Sequence, residues 1–203
     1  MNYIVTSIEK SDRGRKVLCL DNKIELQLYA GEVRKYGLET GSQVSEELYQ
    51  EILHEILGKR ATKRAMHLLE RQEKTEYQLR EKLRQNSYPQ EAIEDAIEYV
   101  KRYHYVDDVR YAKTFVLYHQ EKRSRLRLKT DLLRRGIKGD VIDAALEEVF
   151  TFDEREQMRE LLTKRRFPQN VGDDGEFRKN YQFLMRRGFK SSDILSVMKA
   201  MAQ

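Results

Sequence analysis

Apolar positions in this chain follow two different periods. Near the amino terminus they alternate: Ile24-Glu25-Leu26-Gln27-Leu28 switches strictly between apolar and polar, while Tyr3-Ile4-Val5 and Val17 to Leu20 are rich in β-formers. Residues two apart share one face of a strand, so these segments predict a small antiparallel β-meander. Ser11-Asp12-Arg13-Gly14 and Asp21-Asn22-Lys23 are turn-forming separators between its strands. A short helix near Glu32 to Tyr36 follows, ended by Gly37. Ser42 to Ser45 then leads into a helix carrying Leu48, Ile52, Leu53 and Ile56, and Gly58 is expected to mark a boundary or kink.

From Lys59 onward the period becomes helical, and the same pattern is written three times. With Tyr88, Ile137 and Phe189 aligned, Leu83, Leu132 and Leu184 coincide before that point, and Ile93, Ile142 and Ile194 coincide after it. Further on, Ile97 matches Leu146 and Met198, and Val100 matches Val149 and Met201. The steps from 88 to 137 and from 137 to 189 are 49 and 52 residues, a spacing typical of repeat architectures. Upstream, the stripe Ala65-Leu68-Leu69 is answered by Ala112-Phe115-Val116 and by Met158-Leu161-Leu162. Thr75-x-x-Gln78 has the form of a capping box, Pro89 suits a helix entrance, and Asp107 suits an N-cap, with Asp108 facing the positive end of that helix dipole. Gly136 and Gly188 stand as helix stops where the first unit has Ser87.

The expected architecture is mainly α: three tandem three-helix repeats forming an elongated curved rod, preceded by the β-meander. Its expected segments are 1–57, 58–104, 105–150 and 151–203. A unit of three short helices is too small for independent stability, so neighbouring units are expected to stack. The chain of 203 residues has 36% charged residues and a mean hydropathy of −0.80, which suits long helices around thin cores. Two prolines and ten glycines leave few breakers. No stretch reaches the length of a membrane span and Met1 to Glu9 lacks a secretory pattern, so a cytoplasmic protein is expected.

Charge and candidate chemistry narrow the function classes. The single cysteine, Cys19, excludes an intramolecular disulfide and a thiolate zinc cluster, and the four histidines have no metal-ligand spacing. No phosphate-binding glycine loop or nucleophile-plus-base signature is present, which points away from an enzyme and from a cofactor. The net charge of +5 is uneven: through Leu57 seven basic residues face ten acidic ones, so the remainder carries +8. The densest basic segment runs from Gln120 to Lys138, where eight basic residues meet only Glu121 and Asp131. Such a segment fits a polyanion or an acidic protein groove.

Three segments together resemble the RecX family of regulatory proteins. They are Lys63-Arg64-Ala65-Met66-His67-Leu68-Leu69 with Lys74-Thr75-Glu76-Tyr77-Gln78-Leu79; Tyr105-Val106-Asp107-Asp108-Val109-Arg110-Tyr111-Ala112; and Leu132-Leu133-Arg134-Arg135-Gly136-Ile137. The resemblance covers roughly Lys59 to Ala202 and is most specific up to Val149. His104 and Ser87 depart from it, standing where glycine is usual, and Val106 stands for leucine; Pro168 to Gly175 resembles an inserted loop. The resemblance implies a protein that binds the filament of the RecA recombinase and modulates, usually restrains, its DNA strand exchange and coupled ATP hydrolysis. A basic helical-repeat protein that binds single- or double-stranded DNA without a recombinase target is the alternative.

Candidate partner-binding residues are Arg123, Arg125, Arg127, Lys129, Arg134 and Arg135 on the second unit's middle helix and the turn before it. Lys164, Arg165, Arg166, Arg186 and Arg187 in the third unit are weaker candidates. At 3.6 residues per turn the first six cannot share one face, and charge runs on helices are often only solvated. Tyr99, Tyr103, Tyr105, Tyr111 and Tyr118 interleave with basic residues and invite base stacking. Aromatic residues at helical spacing more often pack, as expected for Tyr88 and Tyr111.

Overall fold

A computed structural model describes residues 2–11, 14–21, 23–168 and 174–202. The chain begins with strands β1 (Asn2–Lys10), β2 (Arg15–Leu20) and β3 (Ile24–Tyr29), then helix α1 (Ala30–Lys35) and strand β4 (Gln43–Ser45). Of the expected turn residues, Asp12, Arg13 and Asn22 lie outside the described residues. The sheet order is β3-β2-β1-β4, antiparallel throughout, and the pairing of β1 with β2 shifts register between Val5 and Ser7. Val5, Leu18, Leu20, Leu26 and Leu28 fill its inner face, as the alternation predicts. The fourth strand adds to the expected meander. At three residues, Gln43-Val44-Ser45 is too short to display a period, and only its pairing with Asn2, Tyr3 and Ile4 defines it.

The rest is helical: α2 (Glu46–Glu51), a π-helical segment (Ile52–Gly58), α3 (Lys59–Arg71), α4 (Glu76–Arg84), α5 (Gln90–Arg102), α6 (Asp108–His119), α7 (Arg125–Leu133), α8 (Gly139–Val149), α9 (Glu154–Lys164), α10 (Asp174–Arg186) and α11 (Ser191–Met201). The expected inserted loop is shorter than 168–175, since Asp174 and Gly175 already belong to α10; residues 169–173 lie outside the described part. Helices α3–α5, α6–α8 and α9–α11 form the three triplets. The chain divides into two compact units, 1–106 and 107–203. In the first unit one core runs from the sheet through Tyr49, Ile52, Leu53 and Leu57 into Leu79, Leu83, Ile93 and Val100. The second unit contains two cores, one for each of its triplets.

Gly58 does not stop its helix. Its φ of −62° is helical and the chain continues directly into α3. The residue is small because α5 passes over it: a Cβ here would lie 3.3 Å from Asp95 Cβ and closer still to the Asp95 carboxylate. That carboxylate meets His54 Nδ1 at 2.6 Å, and His54 Nε2 lies 3.1 Å from Gln50 Oε1. The close approach therefore joins α2, the π-helical segment and α5 through a polar contact as well as a shared core.

Helix ends explain the repeated spacing. After α4, α7 and α10 the chain enters the left-handed region at Ser87 (φ 58°), Gly136 (79°) and Gly188 (84°). The next residue then donates its N–H back to the helix: Tyr88 to the Leu83 carbonyl (3.4 Å), Ile137 to Leu132 (3.3 Å) and Phe189 to Leu184 (3.4 Å). This is the Schellman closure, which satisfies an orphan carbonyl and folds an apolar residue onto the helix it ends. Thr75 and Gln78 form the expected capping box on α4, and Asp107 Oδ1 accepts from the backbone N–H of Val109 (2.9 Å) and Arg110 (3.0 Å) at the start of α6.

These backbone positions generate three stability predictions. Gly58→Ala is expected to cost roughly 1–3 kcal/mol in urea denaturation because Asp95 must move. Gly139→Ala, a helical site with nothing within 4 Å of a new Cβ, should leave stability unchanged or raise it slightly. Ser87→Gly should raise stability by about 1 kcal/mol by relieving the left-handed strain of a residue with a Cβ.

Candidate partner-binding surface

Helix α7 is positioned by apolar and polar contacts together. Ser124 caps it, accepting from Arg127 N–H at 3.1 Å, and Leu128 and Leu132 are buried against Ala112, Phe115 and Val116 of α6 and Ile142 and Leu146 of α8. On the same inward side lies Asp131, 5% exposed. Its carboxylate accepts from Arg123 Nη1 at 3.0 Å and from Arg127 Nε at 3.1 Å. Charge-assisted bonds of this kind offset the cost of removing a carboxylate from water. Arg135 donates to the Asp131 backbone carbonyl at 2.8 Å and to Tyr111 Oη at 3.3 Å, and its guanidinium lies 4.5 Å from the Phe115 ring centroid. Lys129 holds Asp143 of α8 at 2.6 Å.

The basic run is therefore split. Arg123, Arg127, Lys129 and Arg135 are half-buried and engaged within the second triplet. Arg125 and Arg134 are exposed. Between them stand two apolar side chains that charge alone did not single out: Leu126, 57% exposed, and Leu133, 48% exposed. Being seven residues apart, they share one face of α7, and that i, i+7 spacing was the available sequence signal. His119, against the Phe115 ring at 4.4 Å, has its pKa lowered by burial and then by Arg123 and Arg135.

The second and third triplets meet at the residues just before α7. Gln157, buried on α9, donates through Nε2 to the Gln120 carbonyl and, at 3.4 Å, to the Arg123 carbonyl. Gln120 Oε1 accepts from Thr151 N–H at 3.1 Å, Arg125 N–H donates to Glu154 at 2.7 Å, and Ser124 N–H donates to the Arg187 carbonyl at 3.1 Å. Gly188 completes the seam, because a Cβ there would lie 2.6 Å from Arg127 Cβ and 2.8 Å from Ser124 Oγ. It is glycine for close approach as well as for its left-handed backbone.

Among the third-unit candidates, Lys164 lies 3.8 Å from Glu160, Arg166 adopts a left-handed backbone (φ 58°), and Arg186 is exposed. Arg165 and Arg187 both lie over the Phe183 ring, at 4.3 and 3.6 Å from its centroid. The tyrosines separate into two groups. Tyr88 and Tyr111 pack on cores as expected, whereas Tyr99, Tyr103, Tyr105 and Tyr118 are exposed, the first three neighbouring one another at 4.7 and 6.2 Å. Among the described residues no group of three His, Cys, Asp or Glu side chains is arranged to hold a metal ion, and no helix is long and apolar enough to cross a membrane.

Known proteins resemble this chain in sequence and fold. Residues 61–99 match the family model of the first three-helix domain of RecX, and residues 107–146 match that of the second. A regulatory protein RecX from Clostridium acetobutylicum is 30% identical over 96% of this chain and 94% of its own length. Another, from Caldanaerobacter subterraneus subsp. tengcongensis, is 30% identical over 94% and 96%. A crystal structure of a regulatory protein RecX superposes with a TM-score of 0.60 at 24% identity, covering 98% of this chain and 99% of that one. The RecX structure from Lactobacillus salivarius gives 0.57 at 19% identity over 71% and 96%. The two solved structures share the fold.

Removing the carboxylate beneath the basic helix isolates its role. Asp131→Asn is expected to destabilise the chain by roughly 2–4 kcal/mol in urea denaturation, because Arg123 and Arg127 lose their shared partner.

Proposed function

The chain belongs to the RecX family of regulatory proteins, and we propose that it acts by binding the RecA recombinase filament and restraining its DNA strand exchange and coupled ATP hydrolysis. The exposed face of α7 carries this reading. Leu126 and Leu133 stand outside the core between Arg125 and Arg134, which combines apolar anchors with a positive rim. Such a face suits an acidic protein surface with apolar sockets: the anchors contribute affinity on desolvation, and the arginines steer and orient the encounter.

A filament repeats the same surface at every protomer. A regulator built from triplets with a common apolar skeleton and different exteriors can hold more than one protomer, and each further contact forms at high effective concentration. Protomers held in one arrangement cannot pass through the relative movements that hydrolysis and strand exchange require. The same framework explains why no catalytic group is needed in this chain: regulation here is differential binding to one state of the filament.

Mixing the protein with RecA, single-stranded DNA and ATP tests this directly. ATP hydrolysis and strand exchange should both fall, and Leu126→Ser with Leu133→Ser should weaken the effect about tenfold or more while helicity is retained. Unchanged hydrolysis and exchange at severalfold excess over recombinase would overturn the reading.

A further inference from the structure

The second and third triplets are joined by different means from those that hold each one together. Helices α6, α7 and α8 close over Ala112, Val116, Leu132 and Ile142, whereas α9, α10 and α11 close over Met158, Leu162, Leu184 and Ile194, and no residue belongs to both cores. Along the chain they are linked by residues 150–153, which are neither helix nor strand. Across the seam the bonds are polar and converge on the turn before α7. Gln157 reaches the carbonyls of Gln120 and Arg123, while the N–H groups of Ser124, Arg125 and Thr151 donate to the Arg187 carbonyl, the Glu154 carboxylate and Gln120 Oε1.

We propose that this seam is a hinge: the third triplet parts from the second while both stay folded, and its docking orders the first turn of α7, which carries Arg125 and Leu126 of the outward face. The hinge stands without the filament reading, while the role given to that face rests on it.

A core parts only by exposing apolar surface, whereas hydrogen-bonding groups at a seam exchange one partner for water at small net cost. Docking also leaves two buried polar atoms unmatched among the described residues, Gln157 Oε1 and Arg187 Nε, and parting hydrates both. Burial, then the like charges of Arg165, Arg186 and Arg123, lower the Arg187 pKa, so Arg123 and Arg187 repel across the seam. The closed position is nonetheless specific. Gly188 brings the turn between α10 and α11 onto Ser124 and Arg127 at a separation that no Cβ would permit.

The seam reaches the outward face through the start of α7. Ser124 is the N-cap and Arg125 the first helical residue, so the Arg125 N–H is one of the orphan donors of a helix start. Glu154 satisfies that donor and sets a negative charge at the positive end of the helix. Parting removes both effects, and the first turn frays, displacing Arg125 and Leu126 while Leu133 and Arg134, two turns further on, stay in place. A partner that recognises the ordered face therefore selects the docked state.

Amide hydrogen exchange of the full chain, resolved residue by residue, tests the hinge without any recombinase. Gln157→Ala removes the bonds to the Gln120 and Arg123 carbonyls, yet Gln157 bonds none of the N–H groups of Ser124, Arg125 and Thr151. A common acceleration of these three amides by about tenfold is therefore expected from opening of the seam, with amides in the middle of α8 and α11 keeping their original rates. Unchanged exchange at the three amides would overturn the hinge. So would equal acceleration in α8 and α11, because the two triplets would then unfold as one. Gln157→Arg places another cation at the seam with Arg123 and Arg187 and should hold it open, raising the concentration for half-inhibition of the recombinase about fivefold. An open seam with unchanged half-inhibition would overturn the control of the α7 face. If the unaltered chain leaves the recombinase unrestrained, the filament reading fails, and the hinge is decided by exchange alone.

Discussion

The left-handed closure after the middle helix of each triplet governs how the remaining pieces fit. At Ser87, Gly136 and Gly188 the chain turns back so that Tyr88, Ile137 and Phe189 donate to the carbonyls of Leu83, Leu132 and Leu184. A helix cannot end inside a protein with free carbonyls unless something satisfies them, and this turn does so locally while carrying an apolar side chain back onto the core. The direction of the following helix is then set by backbone geometry and needs no particular surface sequence. Three exteriors can therefore differ on one skeleton. At Gly188 the same turn is also the contact with Ser124 and Arg127, so helix termination and the joining of the second and third triplets rest on one residue.

Charge in the second unit has two separate duties. Asp131 lies inside α7 and draws Arg123 and Arg127 toward it, while Lys129 binds Asp143 and Arg135 rests on Phe115 and Tyr111. These contacts order the helix and the turn before it. Arg125 and Arg134 remain outside with Leu126 and Leu133. A buried carboxylate among arginines thus converts an apparently uniform basic run into a structural layer and a smaller outward face.

Among the exposed groups are leucines, tyrosines and arginines, residue types that can give contact area, stacking and orientation. The third unit adds a different quality of charge. Its Arg165 and Arg187 guanidiniums lie over Phe183, and among the described residues neither pairs with a carboxylate, whereas the exterior of α7 mixes apolar and basic groups.

The sequence determined the periods and therefore the elements. Alternation placed Leu18, Leu20, Leu26 and Leu28 inside a sheet, and the recurring leucine, left-handed position and apolar residue located three helical triplets, because both depend on neighbours a few positions apart. Cap residues such as Thr75 and Asp107 were legible for the same reason. Distance along the chain hid the rest. β4 exists only through its pairing with β1, and Gly58 reads as a helix breaker until α5 is seen crossing it at Asp95. The basic run reads as one surface until Asp131 is found buried beneath it. Which arginines are internal is decided by packing between helices, because burial of Asp131 draws Arg123 and Arg127 inward and leaves Arg125 and Arg134 exposed.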